Sequence, residues 1–100
     1  MDKIIWILEE NRNKMLELQR KINSYGGMRA LCFLSVKAME NVILERVDKG
    51  MDSRSNPSLV LMDYDVISED ESALRVLKSH PKLAGVPLFL LVEDNQNSNE

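Results

Sequence analysis

Four carboxylates stand where this sequence could do chemistry. Glu9 and Glu10 follow the apolar run at residues 4–8, and Asp63 follows the run at 59–62, with Asp65 two residues on. Runs that are apolar throughout fit strands covered on both faces, as in a parallel sheet with helices above and below. If these two strands lie parallel and adjacent, their carboxyl ends share one edge of the sheet, where open α/β sheets hold their ligands. Carboxylates gathered there repel one another unless a cation joins them, which points to a divalent metal site. A plainer reading stays open. Glu9 and Glu10 can be solvated acids ahead of a helix, where negative charge meets the helix dipole favourably, and Asp63 and Asp65 ordinary turn acids.

The elements that would position these groups alternate along the chain. A strand at residues 3–8 leads into a helix at 13–25, whose Met15, Leu18, Ile22 and Tyr25 share one face. Gly26 and Gly27 stop it. A second strand spans 28–34, and Ser35 can cap the next helix, whose stripe is Met39, Val42, Ile43 and Val47 and whose end is Gly50. Residues 51–57 are polar and read as a loop. The third strand is 59–62. Ser68 to Asp70 offer caps for a helix carrying Ala73, Leu74 and Leu77, ending around His80 and Pro81. After a connector at 82–85, residues 86–92 make a fourth strand with Pro87 at its start, where a missing N–H is tolerated. The polar segment 95–100 reads as a tail beyond a domain of residues 1–94. This βαβαβαβ order implies a parallel sheet with right-handed crossovers.

Composition sets the outer limits. One hundred residues suffice for one core. At 44% hydrophobic and 29% charged, the chain has the profile of a globular protein rather than a disordered one. A net charge of −3 gives no electrostatic footprint for nucleic acid or an anionic membrane. No apolar stretch approaches a membrane span, and the amino terminus lacks the shape of a signal peptide. Cys32 is the only cysteine, which excludes an internal disulfide and suits a reducing compartment such as the cytoplasm.

Other residues read as structure. His80, before a proline in a loop, is expected to be an inert surface histidine. Cys32 is expected in the core, Trp6 and Phe89 as packing groups, and the six methionines as core filler. The turn after the first strand has no glycine and carries acid where a phosphate would sit, so no nucleotide-binding loop is present. One Cys and one His disfavour a zinc site.

Taken with their spacing, these residues resemble the receiver domain of bacterial two-component response regulators over about residues 3–93. Glu9 and Glu10 match the family's acidic pair, Asp63 in Leu-Val-Leu-Met-Asp-Tyr-Asp its phosphoacceptor, and Asp65 the position whose backbone carbonyl completes a magnesium shell. Residues 76–81 and 86–88 match the route into the fourth strand. The resemblance implies a flavodoxin-like three-layer sandwich with strand order 2-1-3-4, its fifth strand and last helices missing. It also implies Mg2+ at the acids and a sensor histidine kinase or phosphotransfer protein as donor. The domain would be regulatory rather than an enzyme.

Departures from the family pattern are specific. The acidic pair is two glutamates rather than aspartates, and Val92 stands where the family has a Ser or Thr. Ile67 replaces a proline, Glu71 falls near the family's turn glycine, and the fifth-strand lysine is not expected in this chain. Two functions follow: a phosphoacceptor receiver on Asp63, or a phosphorylation-independent pseudo-receiver that docks or dimerises. The apolar fourth strand, as an edge, would favour a homodimer.

Overall fold

The structure, a computed structural model, describes residues 3–47 and 56–92, with the side chains of 46 and 47 excepted. Gly50, most of the expected loop and the tail at 95–100 lie outside the described residues. Strands β1 (Lys3–Leu8), β2 (Met28–Phe33), β3 (Leu59–Asp63) and β4 (Leu88–Leu91) form one sheet in the order β2-β1-β3-β4. Every pairing is parallel, so the expected strand order is the observed one. Between the strands run α1 (Arg12–Asn23), α2 (Val36–Val42), α3 (Tyr64–Glu69) and α4 (Ser72–Ser79).

Successive residues of a strand face opposite sides of the sheet, and β1 is buried on both. Trp6 and Leu8 join Val60 and Met62 in the larger core, closed by Val36 and Met39 of α2, Val66 and Ile67 of α3, and Ala73 and Leu77 of α4. The rings of Trp6 and Phe33 meet edge to face, centroids 5.4 Å apart at 73°. Ile5 and Ile7 are buried on the other side, outside that cluster, as is Met15 of α1. Helix α1 contributes nothing to the larger core and packs on β1 and β2. Layers on both faces explain why β1 reads as a solid apolar run.

Several boundaries differ from the sequence expectation, each for a local reason. Helix α1 ends at Asn23, with the Ser24 N–H on the carbonyls of Arg20 and Lys21. Tyr25 therefore lies in the turn, exposed, instead of on the helix face. Gly27 holds φ at 84°, which an L side chain rarely adopts, and its carbonyl accepts the Lys3 N–H at 2.7 Å. After α2 the chain continues as a π-helical turn, Ile43–Val47. Helix α3 begins directly after Asp63, where the sequence reading expected no helix. Ser68 thus lies inside it rather than capping the next helix, and its hydroxyl donates to the Asp65 carbonyl. Strand β4 is shorter than expected: Val86 is held back by a hydrogen bond to Leu83, while the Pro87 carbonyl accepts the Val60 N–H.

Four residue expectations are corrected by burial. Cys32 is half-buried on the edge strand β2, not in the core, and this burial pushes its thiol pKa up. Met28, on the same strand, is exposed. Phe89 is 59% exposed, because β4 is an edge and Phe89 pairs with Leu61 on the face opposite core-facing Leu88. His80 is buried rather than superficial, at the end of α4. Its Nδ1 accepts the Lys82 N–H at 3.2 Å, and its carbonyl accepts from Leu83 and Ala84. Truncating it removes the acceptor of this part-buried bond and opens space where the buried ring stood. His80→Ala is expected to cost about 1–3 kcal/mol in urea unfolding.

Asp70 ties α4 to its start. Its Oδ1 accepts the Ser72 N–H at 3.0 Å, and the Ser72 hydroxyl is shared between Asp70 and Glu40 Oε1, 3.1 Å away. The hydroxyl first, then the backbone N–H, hold the Asp70 carboxyl below its ordinary value. A depressed folded pKa means that this stabilisation is complete above the unfolded carboxylate pKa, about 3.9, and is lost as pH falls through the folded value. Asp70→Ala is therefore expected to lower the melting temperature slightly at pH 7. In acid, once the carboxyl is protonated in both states, the two melting curves should converge.

Candidate functional site

The pairing of β1 with β3 ends at Leu8 opposite Met62. Glu9 and Asp63 each stand one residue further on, so two acids leave adjacent strands at the same level. Leu8 and Met62 face the larger core, so alternation sends Glu9 and Asp63 to the opposite side, toward α1. The Glu9 N–H still donates to the Phe33 carbonyl at 3.1 Å, which fixes its backbone to the end of β2. Its side chain is 4% exposed, a rare state for a glutamate. Its Oε2 accepts the Asn11 N–H at 3.0 Å. Asn11 in turn caps α1, its Oδ1 accepting the N–H groups of Asn13 and Lys14. This local chain of bonds locks the acid to the start of the helix beside it.

Asp63 is the last residue of β3 and the residue before α3, and its half-buried carboxylate makes no capping bond to that helix. A cleft of about 270 Å³ opens where these strand ends meet α1. Glu9 and Asp63 line it from the sheet, with Leu91 and Val92 from the end of β4. Helix α1 supplies Lys14, Glu17, Leu18 and Lys21, residues spaced to share one helix face. Three carboxylates thus stand against two ammonium groups.

Of the four expected site residues, the structure brings Glu9 and Asp63 together. Glu10 is exposed and does not line the cleft; it lies in the bend two residues past the end of β1. Asp65 is exposed in the first turn of α3, and its carbonyl accepts the Ser68 hydroxyl at 2.9 Å. Val92 lines the cleft, so a methyl-bearing side chain occupies the place where the resemblance expects a hydroxyl. Sequence reading passed over Lys14, Glu17 and Lys21. The signal was present in their i, i+3 and i+7 spacing, beginning five residues after Glu9.

Whether magnesium suits this donor set is a matter of ligand count. Among the described residues no group of three or more His, Cys, Asp or Glu is placed to hold a metal ion. Magnesium needs no such cage: it commonly binds through one or two carboxylates, with water and phosphate oxygens completing an octahedron. A buried Glu9 beside Asp63 fits that mode.

No family profile matches the sequence, and no curated protein matches it significantly. Solved structures do match. The signal receiver domain of a two-component histidine kinase from Clostridium thermocellum aligns over 96% of this chain and 72% of its own, with a TM-score of 0.69 and 13% identity. The phosphorylated cyanobacterial phytochrome response regulator RcpA aligns over 97% and 69%, with a TM-score of 0.71 and 17% identity. The bacteriophytochrome response regulator AtBRR aligns over 97% and 71%, with a TM-score of 0.66 and 17% identity. The chain has the fold of a receiver domain.

Proposed function

We propose that this chain is a regulatory receiver domain that takes a phosphoryl group on Asp63 from a phosphohistidine of a sensor kinase or phosphotransfer partner. One observation carries the reading: Asp63 ends β3 in a cleft that also holds a buried glutamate and two lysines. In the transfer, an Asp63 carboxylate oxygen attacks phosphorus and forms a P–O bond. The P–N bond to the donor imidazole breaks, and its electron pair leaves on the ring nitrogen, which takes a proton. Such transfer depends on positioning and charge stabilisation more than on covalent help from the protein. Glu9 and Asp63 would hold magnesium, which when bound supplies neutralisation of the transferring group. The neighbours named as a histidine kinase receiver and as response regulators support the donor class. No helix among the described residues is long and apolar enough to cross a membrane, and the proposed setting is the cytoplasm.

A second reading rests on β4. Phe89 and Leu90 are 59% and 45% exposed on a strand that no further strand borders among the described residues, and Val92, just past its end, is 71% exposed. An open apolar edge favours pairing with another chain, which suits a docking or dimerising module that needs no phosphoryl group. Intact-mass measurement with phosphoramidate and magnesium, beside sedimentation at several concentrations, separates the two. A phosphoryl adduct supports the acceptor. Association without any adduct would favour the interaction module.

A further inference from the structure

Helix α1 begins with a charge pattern that runs against its dipole. Its first turn holds Arg12 and Lys14 and no acid, although the positive end of a helix favours negative side chains. The compensation lies across the cleft, where Lys14 shares a wall-to-wall space with Glu9 and Asp63. Lys14 is half-buried, whereas lysines are ordinarily exposed. Lys21, seven residues on, lines the same cleft two helical turns away.

We infer that Lys14 is the built-in counter-cation of this cleft: it balances Glu9 and Asp63 at rest and binds the phosphoryl oxygens once Asp63 carries the group. Lys21 extends the same positive wall. The second half of the inference rests on the phosphoacceptor reading, whereas the first half does not. The geometry favours it because a phosphoryl group on Asp63 adds negative charge inside a cleft where, among the described residues, the lining cations are these two lysines. Val92 offers the new oxygens no hydroxyl, which leaves the ammonium groups as the side-chain donors among the described lining residues. At rest Lys14 also opposes a divalent ion, since both answer the same two carboxylates.

The test uses the whole chain as wild type, Lys14→Gln, Lys14→Arg and Lys21→Gln. With phosphoramidate and magnesium, the rate of phosphoryl adduct formation by intact mass should fall about 10-fold or more in Lys14→Gln. Lys14→Arg should keep most of the rate, and the melting temperatures should stay together. Equal rates in wild type and Lys14→Gln would overturn the phosphoryl role. A second measurement reads the counter-cation directly: amide shifts of Glu9, Glu10 and Tyr64 during titration with magnesium alone. Removing the competing charge should tighten magnesium binding about 3- to 5-fold in Lys14→Gln, and unchanged affinity would overturn the inference. If no protein forms an adduct, the acceptor reading fails, and this titration still decides the role of Lys14.

Discussion

Truncating Trp6 to alanine is expected to cost about 3–5 kcal/mol, the range for removing a large aromatic from a packed core. Trp6 is 1% exposed on the central strand, in edge-to-face contact with Phe33 and clustered with Met39, Val60 and Met62. Nothing on the surface can collapse into that space without moving β1, which pairs with both β2 and β3. A domain of this size holds about 5–15 kcal/mol in total, so the variant should be largely unfolded by modest urea. Circular dichroism through a urea series checks this, since the substitution removes the only tryptophan. Trp6→Phe, which retains most of the buried area, should lose far less. An alanine variant with an unchanged urea midpoint would mean that β1 is not the centre of the core.

The second large effect is chemical. Asp63→Asn should abolish phosphoryl incorporation, because an amide oxygen is a poor nucleophile and carries no charge to form the mixed anhydride. The fold should survive, since Asp63 makes no capping bond to α3 and the substitution preserves shape. Glu9→Gln should keep the acceptor but slow its labelling, as the buried partner acid would be lost. Intact mass beside circular dichroism reads both. An adduct that persists in Asp63→Asn would place the acceptor elsewhere.

Much of this arrangement was legible in the residues. The solid apolar runs of β1 and β3 required covering on both faces, and the core found on either side of β1 is that covering. The matching ends of those runs brought Glu9 and Asp63 to one edge, as the register bears out. Glu9 and Glu10 part because the Glu9 N–H stays tied to the Phe33 carbonyl while Glu10 lies in the bend beyond, which their adjacency in sequence does not reveal. Following only the apolar stripe of α1 hid its lysines, because Lys14 and Lys21 lie beside Leu18 on the face turned to the strand ends. Asp63 is a residue type that often caps a helix, but its side chain makes no capping bond to α3, and that six-residue helix is too short to show an apolar stripe. The burial of His80 and the exposure of Phe89 depend on which elements pack nearby. Neither residue's own sequence neighbourhood encodes that.

The most direct measurement is to locate the phosphoryl group on the wild-type chain. After incubation with phosphoramidate and magnesium, borohydride reduction converts an acyl phosphate to a stable alcohol, and peptide mapping then finds the modified residue. The expected result is reduction at Asp63 alone. Modification at Glu9, Glu10 or Asp65 instead, or none on a folded chain, would contradict the assignment of Asp63 as the acceptor.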